Sequence, residues 1–285
     1  MSSFRFAHIS DIHYSKISFG ASQFFSKRWI GNLNFLLRRK REFDYSLLEE
    51  LIPVLVQEKI ETVLISGDLS CTSLEEEFLK ASSFVKALKQ NGIETIILPG
   101  NHDHYTKKSY QKKTFYHFFP SKSANSPNLK LDQLEITKLN DSWHLIALDT
   151  TLATPLFCSH GRFDEKIEKT LEKALSSLPS DAQVIIANHF PIALEKSALQ
   201  RESHLISLLQ KYPKVKLYLH GHTHKRKITD HRSNNLPIVV DSGSASHRFI
   251  GSWNVIECKE KGCSIKPFTW KKTHWTPEKE VPFTW

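Results

Sequence analysis

The chain has 285 residues, 40% of them hydrophobic and 24% charged, a balance that supports a sizeable folded core and excludes a disordered tail or a fibrous repeat. No apolar run approaches the roughly 18 residues that cross a bilayer, and the four cysteines, Cys71, Cys158, Cys258 and Cys263, form no C-x-x-C pair, so neither a spanning helix nor a thiol-based motif is expected. The net charge of +9 is unevenly placed: seven basic side chains (Lys16, Lys27, Arg28, Arg38, Arg39, Lys40, Arg41) and no acidic one fall within residues 15–41, which leaves the rest near balance.

In chain order, residues 4–10 alternate as a first strand and open the sequence as FRFAHIS, unlike a signal peptide; reduced thiols and a cytoplasmic location are expected. Phe25, Trp29, Leu33 and Leu36 then recur at helical spacing, predicting an amphipathic helix in a basic insertion at about 15–43. Asp44 can cap a helix whose apolar positions Leu47, Leu48, Leu51, Val54 and Leu55 run to about Lys59, and residues 62–66 read as a buried strand. Ser73 is placed to open the next helix, with Glu76 at capping-box spacing and Gly92 closing it. Residues 94–98 form a third strand. This alternation predicts a parallel layer with functional loops at the carboxyl ends of its strands.

From Leu129 the pattern changes. Residues 129–136 and 143–149 read as strands with no helix between them, 164–177 as a helix, and 183–187, 215–219, 236–241, 252–257 and 264–269 as strands. The predicted fold class is α/β: a four-layer α-β-β-α sandwich of two mixed β-sheets packed face to face, with helices on the outer faces. The chemistry-bearing residues run from position 11 to position 224 without a linker, so a single domain over 1–285 is expected. It ends in a Trp-containing extension at about 270–285, where Trp270, Trp275 and Trp285 read as packing or interface residues.

Five short polar motifs each follow an apolar run: Asp11-Ile12-His13, Gly67-Asp68, Gly100-Asn101-His102-Asp103, Asn188-His189, and His220-Gly221-His222-Thr223-His224. Any one alone is an ordinary turn or strand cap; together they are an ordered set. Hydrolysis of a phosphate ester needs neutralised phosphoryl charge, a water nucleophilic near neutral pH, and a route for the leaving-group proton. Two divalent ions about 3.5–4 Å apart, sharing one carboxylate, meet the first two needs. The carboxylates at hand are Asp11 and Asp68, the nitrogens those of His13, His189, His222 and His224, and Asn101 offers an amide oxygen. Mixed oxygen and imidazole donors without thiolate favour Mn²⁺, Fe, Zn²⁺ or Ni²⁺ over Ca²⁺, and Mn²⁺ is the first expectation. His220, ahead of its glycine, reads as a structural strand-end residue, whereas His247 and Arg248 in GSASHR can reach a substrate.

These blocks, D-x-H, G-D, G-N-H-D, a lone His and G-H-x-H, in this order over about residues 4–245, resemble the calcineurin-like metallophosphoesterase superfamily. SGDLS, PGNHD and GHTH place the chain nearest to bacterial class III cyclic-nucleotide phosphodiesterase-like proteins. The resemblance implies a dinuclear site in which Asp11, His13 and His224 hold one metal, Asn101, His189 and His222 hold the other, and Asp68 bridges. It also implies that His102 protonates the leaving group or steadies a phosphoryl oxygen. Two positions depart from the pattern. The lone-His block is Asn188-His189-Phe190-Pro191, without the second His common in the subgroup, and Cys71 stands where the phosphatase branch has a carboxylate three residues after the bridging Asp.

The implied activity is metal-dependent hydrolysis of a phosphodiester, phosphomonoester or pyrophosphate bond in a phosphorylated small molecule or nucleotide. One alternative is a membrane-surface pyrophosphohydrolase or phosphodiesterase acting on a lipid-linked substrate such as a UDP-acylated sugar, as some relatives do. Residues 15–41 would then lie in an anionic membrane surface. The other is a non-catalytic metal-binding scaffold. Nucleic acid is not an expected partner, because the basic stretch lacks regularly interleaved aromatics and an additional domain.

Overall fold

The computed structural model describes residues 3–16, 40–125, 127–155, 158–192 and 198–285, so the amphipathic helix expected around Trp29 lies outside the described residues. Fifteen strands occur among the described residues: β1 (Phe4–Ile9), β2 (Thr62–Ile65), β3 (Glu94–Ile97), β4 (Leu134–Lys138), β5 (Trp143–Leu148), β6 (Gly161–Arg162), β7 (Gln183–Ala187), β8 (Leu199–Gln200), β9 (Val215–His220), β10 (Lys227–Asp230), β11 (Ile238–Asp241), β12 (Ser252–Lys259), β13 (Gly262–Trp270), β14 (Trp275–Pro277) and β15 (Val281–Thr284). The main helices among them are α1 (Ser46–Gln57), α2 (Glu75–Gln90), α3 (Lys107–Gln111), α4 (Thr114–Phe118), α5 (Leu129–Asp132), α6 (Glu165–Ser177) and α7 (Glu202–Lys211).

The first sheet runs β14-β13-β12-β1-β2-β3, with β15 also on β13, and the second runs β10-β11-β9-β7-β5-β4. Both are mixed. β1, β2 and β3 are parallel to one another while β12 joins β1 antiparallel; β5, β7, β9 and β11 are parallel while β4 and β10 close the edges antiparallel. Alternation of side chains along a strand then sorts the second sheet into two faces. Leu145, Ala147, Ile185, Ala187, Leu217, Leu219, Ile238 and Val240 join one buried cluster with Ile9, Val63, Ile65 and Trp253 of the first sheet. Their neighbours Ile146, Leu148, Val184, Ile186 and Tyr218 face the other way, against Ile167 and Leu171 of α6 and Leu205 and Leu209 of α7. On the first sheet, α1 and α2 bury Leu47, Leu51, Leu55, Phe78, Ala81 and Leu88 in the cluster shared by both sheets. The expected sandwich, two mixed sheets with helices, is the observed fold.

The three C-terminal tryptophans pack. Trp275 donates its indole N–H to the Leu47 carbonyl (3.1 Å) and lies 5.3 Å from Trp270, and Trp285 donates to Gln183 Oε1 (2.6 Å) while its ring stands 5.6 Å from Trp143.

Two local expectations are corrected. Residues 129–136 are not one strand: Asn128 accepts from Leu131 N–H (2.9 Å) and caps the turn α5, Gln133 turns left-handed (φ 59°), and the strand starts at Leu134. A local side-chain acceptor has outcompeted the extended run. Helix α2 is capped at Leu74, not at Ser73, and it is Glu77 rather than Glu76 whose carboxylate reaches back to the Thr72 and Leu74 amides (2.8 and 3.2 Å). Ser73 is used elsewhere, donating to the His102 carbonyl (2.8 Å) and accepting from Tyr105 N–H (2.7 Å).

Candidate metal centre

Parallel pairing aligns the carboxyl ends of three adjacent strands, with Ala7 opposite Val63 and Val63 opposite Thr95. The loops that follow carry Asp11 and His13, Asp68, and Asn101 and His102. In the second sheet Ala187 is opposite Leu219, and the loops beyond carry His189, His222 and His224. Backbone pairing continues past the strand ends, from Asp11 N–H to the Gly67 carbonyl (3.0 Å) and from His13 N–H to the Asp68 carbonyl (2.9 Å). The loops are therefore fixed and not merely near.

The positions are held at a conformational cost. Asp11, His13, Asp68, His222 and His224 all have left-handed φ, between 54° and 72°, which disfavours an L-residue by about 1 kcal/mol each. Such strain gathered on one set of polar side chains marks a site that the surrounding fold over-determines. Glycine is required where backbones meet the carboxylates. A Cβ at Gly100 would overlap Asp68 Oδ1, and one at Gly221 would overlap Ser10 Oγ and Asp11 Oδ2.

Two groups of donors converge on Asp68. In one, His13 Nε2 lies 3.0 Å from His224 Nε2 and 3.6 Å from Asp11 Oδ1, and His224 Nε2 lies 3.2 Å from the same Asp11 oxygen. In the other, Asn101 Oδ1 lies 3.1 Å from His189 Nε2 and 3.0 Å from His222 Nδ1. Asp68 Oδ2 stands between them, 3.6 Å from His13 Nε2 and 3.4 Å from His189 Nε2. Its other oxygen accepts from His102 N–H (2.8 Å).

Hydrogen bonds behind these atoms set the imidazole tautomers. A carbonyl can only accept, so His189 Nδ1, 2.8 Å from the Ser66 carbonyl, carries a proton, and Nε2 is the nitrogen turned to Asn101 and Asp68. His102 Nδ1 is likewise committed to the Cys71 carbonyl (2.6 Å). That contact orients His102, since the neighbouring Asp103 is turned to the Leu69, Ser70 and Gly100 amides (3.2, 2.8 and 2.9 Å). Tyr105 stacks on the His102 ring at 5.3 Å.

The electrostatics call for a cation. Asp11 and Asp68 are buried, which resists their ionisation, yet the surrounding imidazoles hold both well below the usual carboxylate range. Burial would lower His189, but Asp68 overrides it and pushes its pKa up to about 9, while burial takes His222 down to about 4. Asp11 Oδ1 is buried and faces only the imidazoles of His224 and His13, at 3.2 and 3.6 Å. Two buried carboxylates and converging imidazole nitrogens fit a divalent ion better than they fit one another.

All seven residues expected as metal ligands are thus brought together, and His102 stands beside them, its ring 5.0 Å from that of His13. His247 and Arg248 lie farther out. His247 Nδ1 accepts from the Phe249 and Ile250 amides (3.2 and 3.3 Å), and Arg248 pairs with Asp44 at 3.3 Å on the wall of a cavity that begins at His224. His220 is a structural residue: it is buried, with Nδ1 on the Gly221 carbonyl at 2.8 Å. Sequence reasoning missed the supports. Ser244 and Ser246 donate to the Asp11 and Ile12 carbonyls (2.6 Å each), Tyr45 donates to the His13 carbonyl (3.0 Å), and the Phe43 ring lies 4.9 Å from His13. The alternating serines of SGSAS, just after a strand, were the available signal.

The chain is similar to proteins already known. The chain is 26% identical over 185 residues to a 3′,5′-cyclic-nucleotide phosphodiesterase of Nostoc sp., covering 62% of this chain and 59% of that one. It is 21% identical over 174 residues to a 3′,5′-cyclic adenosine monophosphate phosphodiesterase of Escherichia coli, covering 59% and 56%. The matches thus span less than two thirds of the lengths of these curated relatives. In fold it is similar to a dimetal phosphatase from Danio rerio, with a TM-score of 0.70 at 14% identity over 99% of this chain and 98% of that one. The model of calcineurin-like phosphoesterases matches residues 4–226, a span that contains all five polar loops, and the chain belongs to that family.

Proposed function

We propose that the chain is a single-domain phosphodiesterase with a dinuclear metal centre that hydrolyses a small phosphorylated molecule of the nucleotide class. Asp11, His13 and His224 would hold one ion, Asn101, His189 and His222 the other, and Asp68 would be shared between them. The placement of Asp68 Oδ2 between the two donor groups, 3.6 Å from His13 and 3.4 Å from His189, carries this reading. Mn²⁺ is the first choice of ion, with Fe, Zn²⁺ and Ni²⁺ compatible with the same donors. When bound, the ions supply phosphoryl charge neutralisation and a water nucleophilic near neutral pH.

The chain's own residues supply the rest. Burial of the ligands keeps bulk water from competing for the phosphoryl group, and the left-handed loops pre-position the donors before substrate arrives. Because Nδ1 of His102 is fixed on the Cys71 carbonyl, any proton this ring moves is at Nε2. There it protonates the departing oxygen or donates to a phosphoryl oxygen. A diester is favoured over a monoester because the curated relatives are named as phosphodiesterases and because Cys71 replaces the carboxylate of the phosphatase branch.

The membrane alternative drew on the basic stretch 15–41, most of which lies outside the described residues; no helix among the described residues is long and apolar enough to cross a membrane. The test is hydrolysis by the Mn²⁺-loaded chain of bis-p-nitrophenyl phosphate against p-nitrophenyl phosphate. Faster turnover of the diester, abolished by chelation, is expected. A chain that hydrolyses neither, or one indifferent to chelation, would overturn the proposal.

A further inference from the structure

Beside the candidate metal centre a cavity of about 520 Å³ opens directly from His224, within the size range of small-molecule sites. Its walls are strongly basic. Of the five cations on it, Arg226 is neutralised by Glu278, with both carboxylate oxygens at 2.8 Å, and Arg248 is shared with Asp44 at 3.3 Å. Lys225, Lys271 and Lys272 are exposed and have no carboxylate within ion-pair distance among the described residues. Lys271 also feels the Glu278 carboxylate already paired with Arg226, but the five cations on the cavity outnumber the one carboxylate that lines it, and the three exposed ammonium groups repel one another and attract an anion that enters it. The rim is apolar: Phe249 and Ile250 are 68% and 47% exposed, and their amides are tied to His247 Nδ1, so the two side chains are presented outward on a fixed turn.

Resting on the phosphodiesterase reading, we infer that this cavity is a subsite for a second phosphate, and that the substrate is a phosphodiester bearing a further phosphate monoester next to an aromatic ring. A phosphate monoester carries close to two negative charges near neutral pH and several acceptor oxygens, which suits three lysines better than a single carboxylate would. A ring on the same substrate can stack against Phe249 while its phosphate meets Lys271 and Lys272. A cyclic nucleotide, whose only phosphate is the scissile one, leaves this subsite unused.

The probes are the dinucleotide ApA and its 5′-phosphorylated form pApA, which differ by that phosphate alone. Binding is measured by titration calorimetry on the full chain in EDTA, so that the subsite is read without turnover. The wild type is expected to bind pApA at least roughly tenfold more tightly than ApA. The gap should narrow with added salt and close in Lys271→Gln/Lys272→Gln. It should persist in a control pair on the far helix α6, Lys169→Gln/Lys173→Gln. Equal binding of the two dinucleotides by the wild type, or a gap that survives Lys271→Gln/Lys272→Gln, overturns the inference. Turnover of bis-p-nitrophenyl phosphate, which has no second phosphate, should be unchanged in the double variant. Its absence from the Mn²⁺-loaded wild type overturns the phosphodiesterase reading instead.

Discussion

At the carboxyl ends of β1, β2 and β3 the first sheet presents Asp11, His13, Asp68, Asn101 and His102; at the ends of β7 and β9 the second presents only His189, His222 and His224. Every oxygen donor therefore comes from one sheet, and the other contributes imidazoles alone. The supports divide in the same way. The first-sheet loops are bound to one another through Asp103 and through amides that point at Asp68, whereas His189 and His222 are held by backbone partners and by contacts across the seam, such as His222 N–H to Asp11 Oδ2 at 2.9 Å. Carboxylates sit on one side and imidazoles close over them from the other. The packing of the two sheets is thus a condition of the chemistry: apart, one half would be a buried cluster of anions and the other a row of histidines.

That asymmetry can be broken directly. With Asp68 as the bridge, Asp68→Ala should lose tight binding of both ions and cut turnover by roughly 10³-fold or more. His222→Ala, on the opposite sheet, should lose one ion and retain the other. Metal analysis of the two purified proteins decides it, and two equivalents of metal in Asp68→Ala would remove the bridge assignment. His102 belongs to the first sheet without being assigned as a ligand. His102→Ala should keep near-normal metal content while kcat on bis-p-nitrophenyl phosphate falls by roughly 10²- to 10⁴-fold; a fall in metal content would instead make it a ligand.

A smaller effect concerns the floor of the first sheet. His8 is fully buried, with Nε2 2.8 Å from Ser66 Oγ, and burial, helped by His220, takes its pKa from the ordinary 6.5 to about 3. In the fold it stays neutral while the unfolded chain takes up a proton below 6.5, so stability is lost as pH falls from about 6.5 towards 3. By pH 5 the loss from this one residue is about 2 kcal/mol. Denaturant unfolding at pH 7 and pH 5 should show His8→Gln losing less between the two values than the wild type does. An identical loss in both proteins would place the acid sensitivity elsewhere, the buried His104 being the next candidate.

The fold and the site were legible in the sequence to unequal degrees. Periodicity located the long strands and helices because their faces are buried on one side, and the five polar loops stood out because each interrupts such a face. What escaped was set by tertiary contacts. Among the described residues the two-residue strands β6 and β8 pair only with each other, and the left-handed φ of Asp11 or His224 leaves no trace in composition, since neither is glycine. The Cys71 carbonyl that orients His102 is backbone, which a sequence pattern of side chains does not register. The alternating serines 242–246 were visible but have no meaning until the chain folds back over Asp11.

Ser73 shows the same limit in one residue and gives the smallest effect. Its sequence position suggests a helix cap, whereas its hydroxyl bridges the loops after β2 and β3, donating to the His102 carbonyl and accepting from the Tyr105 amide. Removing it leaves α2 capped, because Glu77 still holds the Thr72 and Leu74 amides. The loss falls on the first-sheet loops. Ser73→Ala should therefore cost about 1 kcal/mol, the worth of one to two buried hydrogen bonds, and lower kcat more than it raises KM, since the loop it loosens carries His102. A cap would behave differently: Ser73→Ala would then destabilise α2 with no kinetic change, and Ser73→Asp, a good capping residue, would restore stability. If Ser73→Asp is as stable as the wild type and Ser73→Ala has normal kcat, the loop-bridging role is wrong. If Ser73→Asp is worse than Ser73→Ala, a carboxylate that cannot donate to the His102 carbonyl has exposed the hydroxyl's task as tying together two loops of the same sheet.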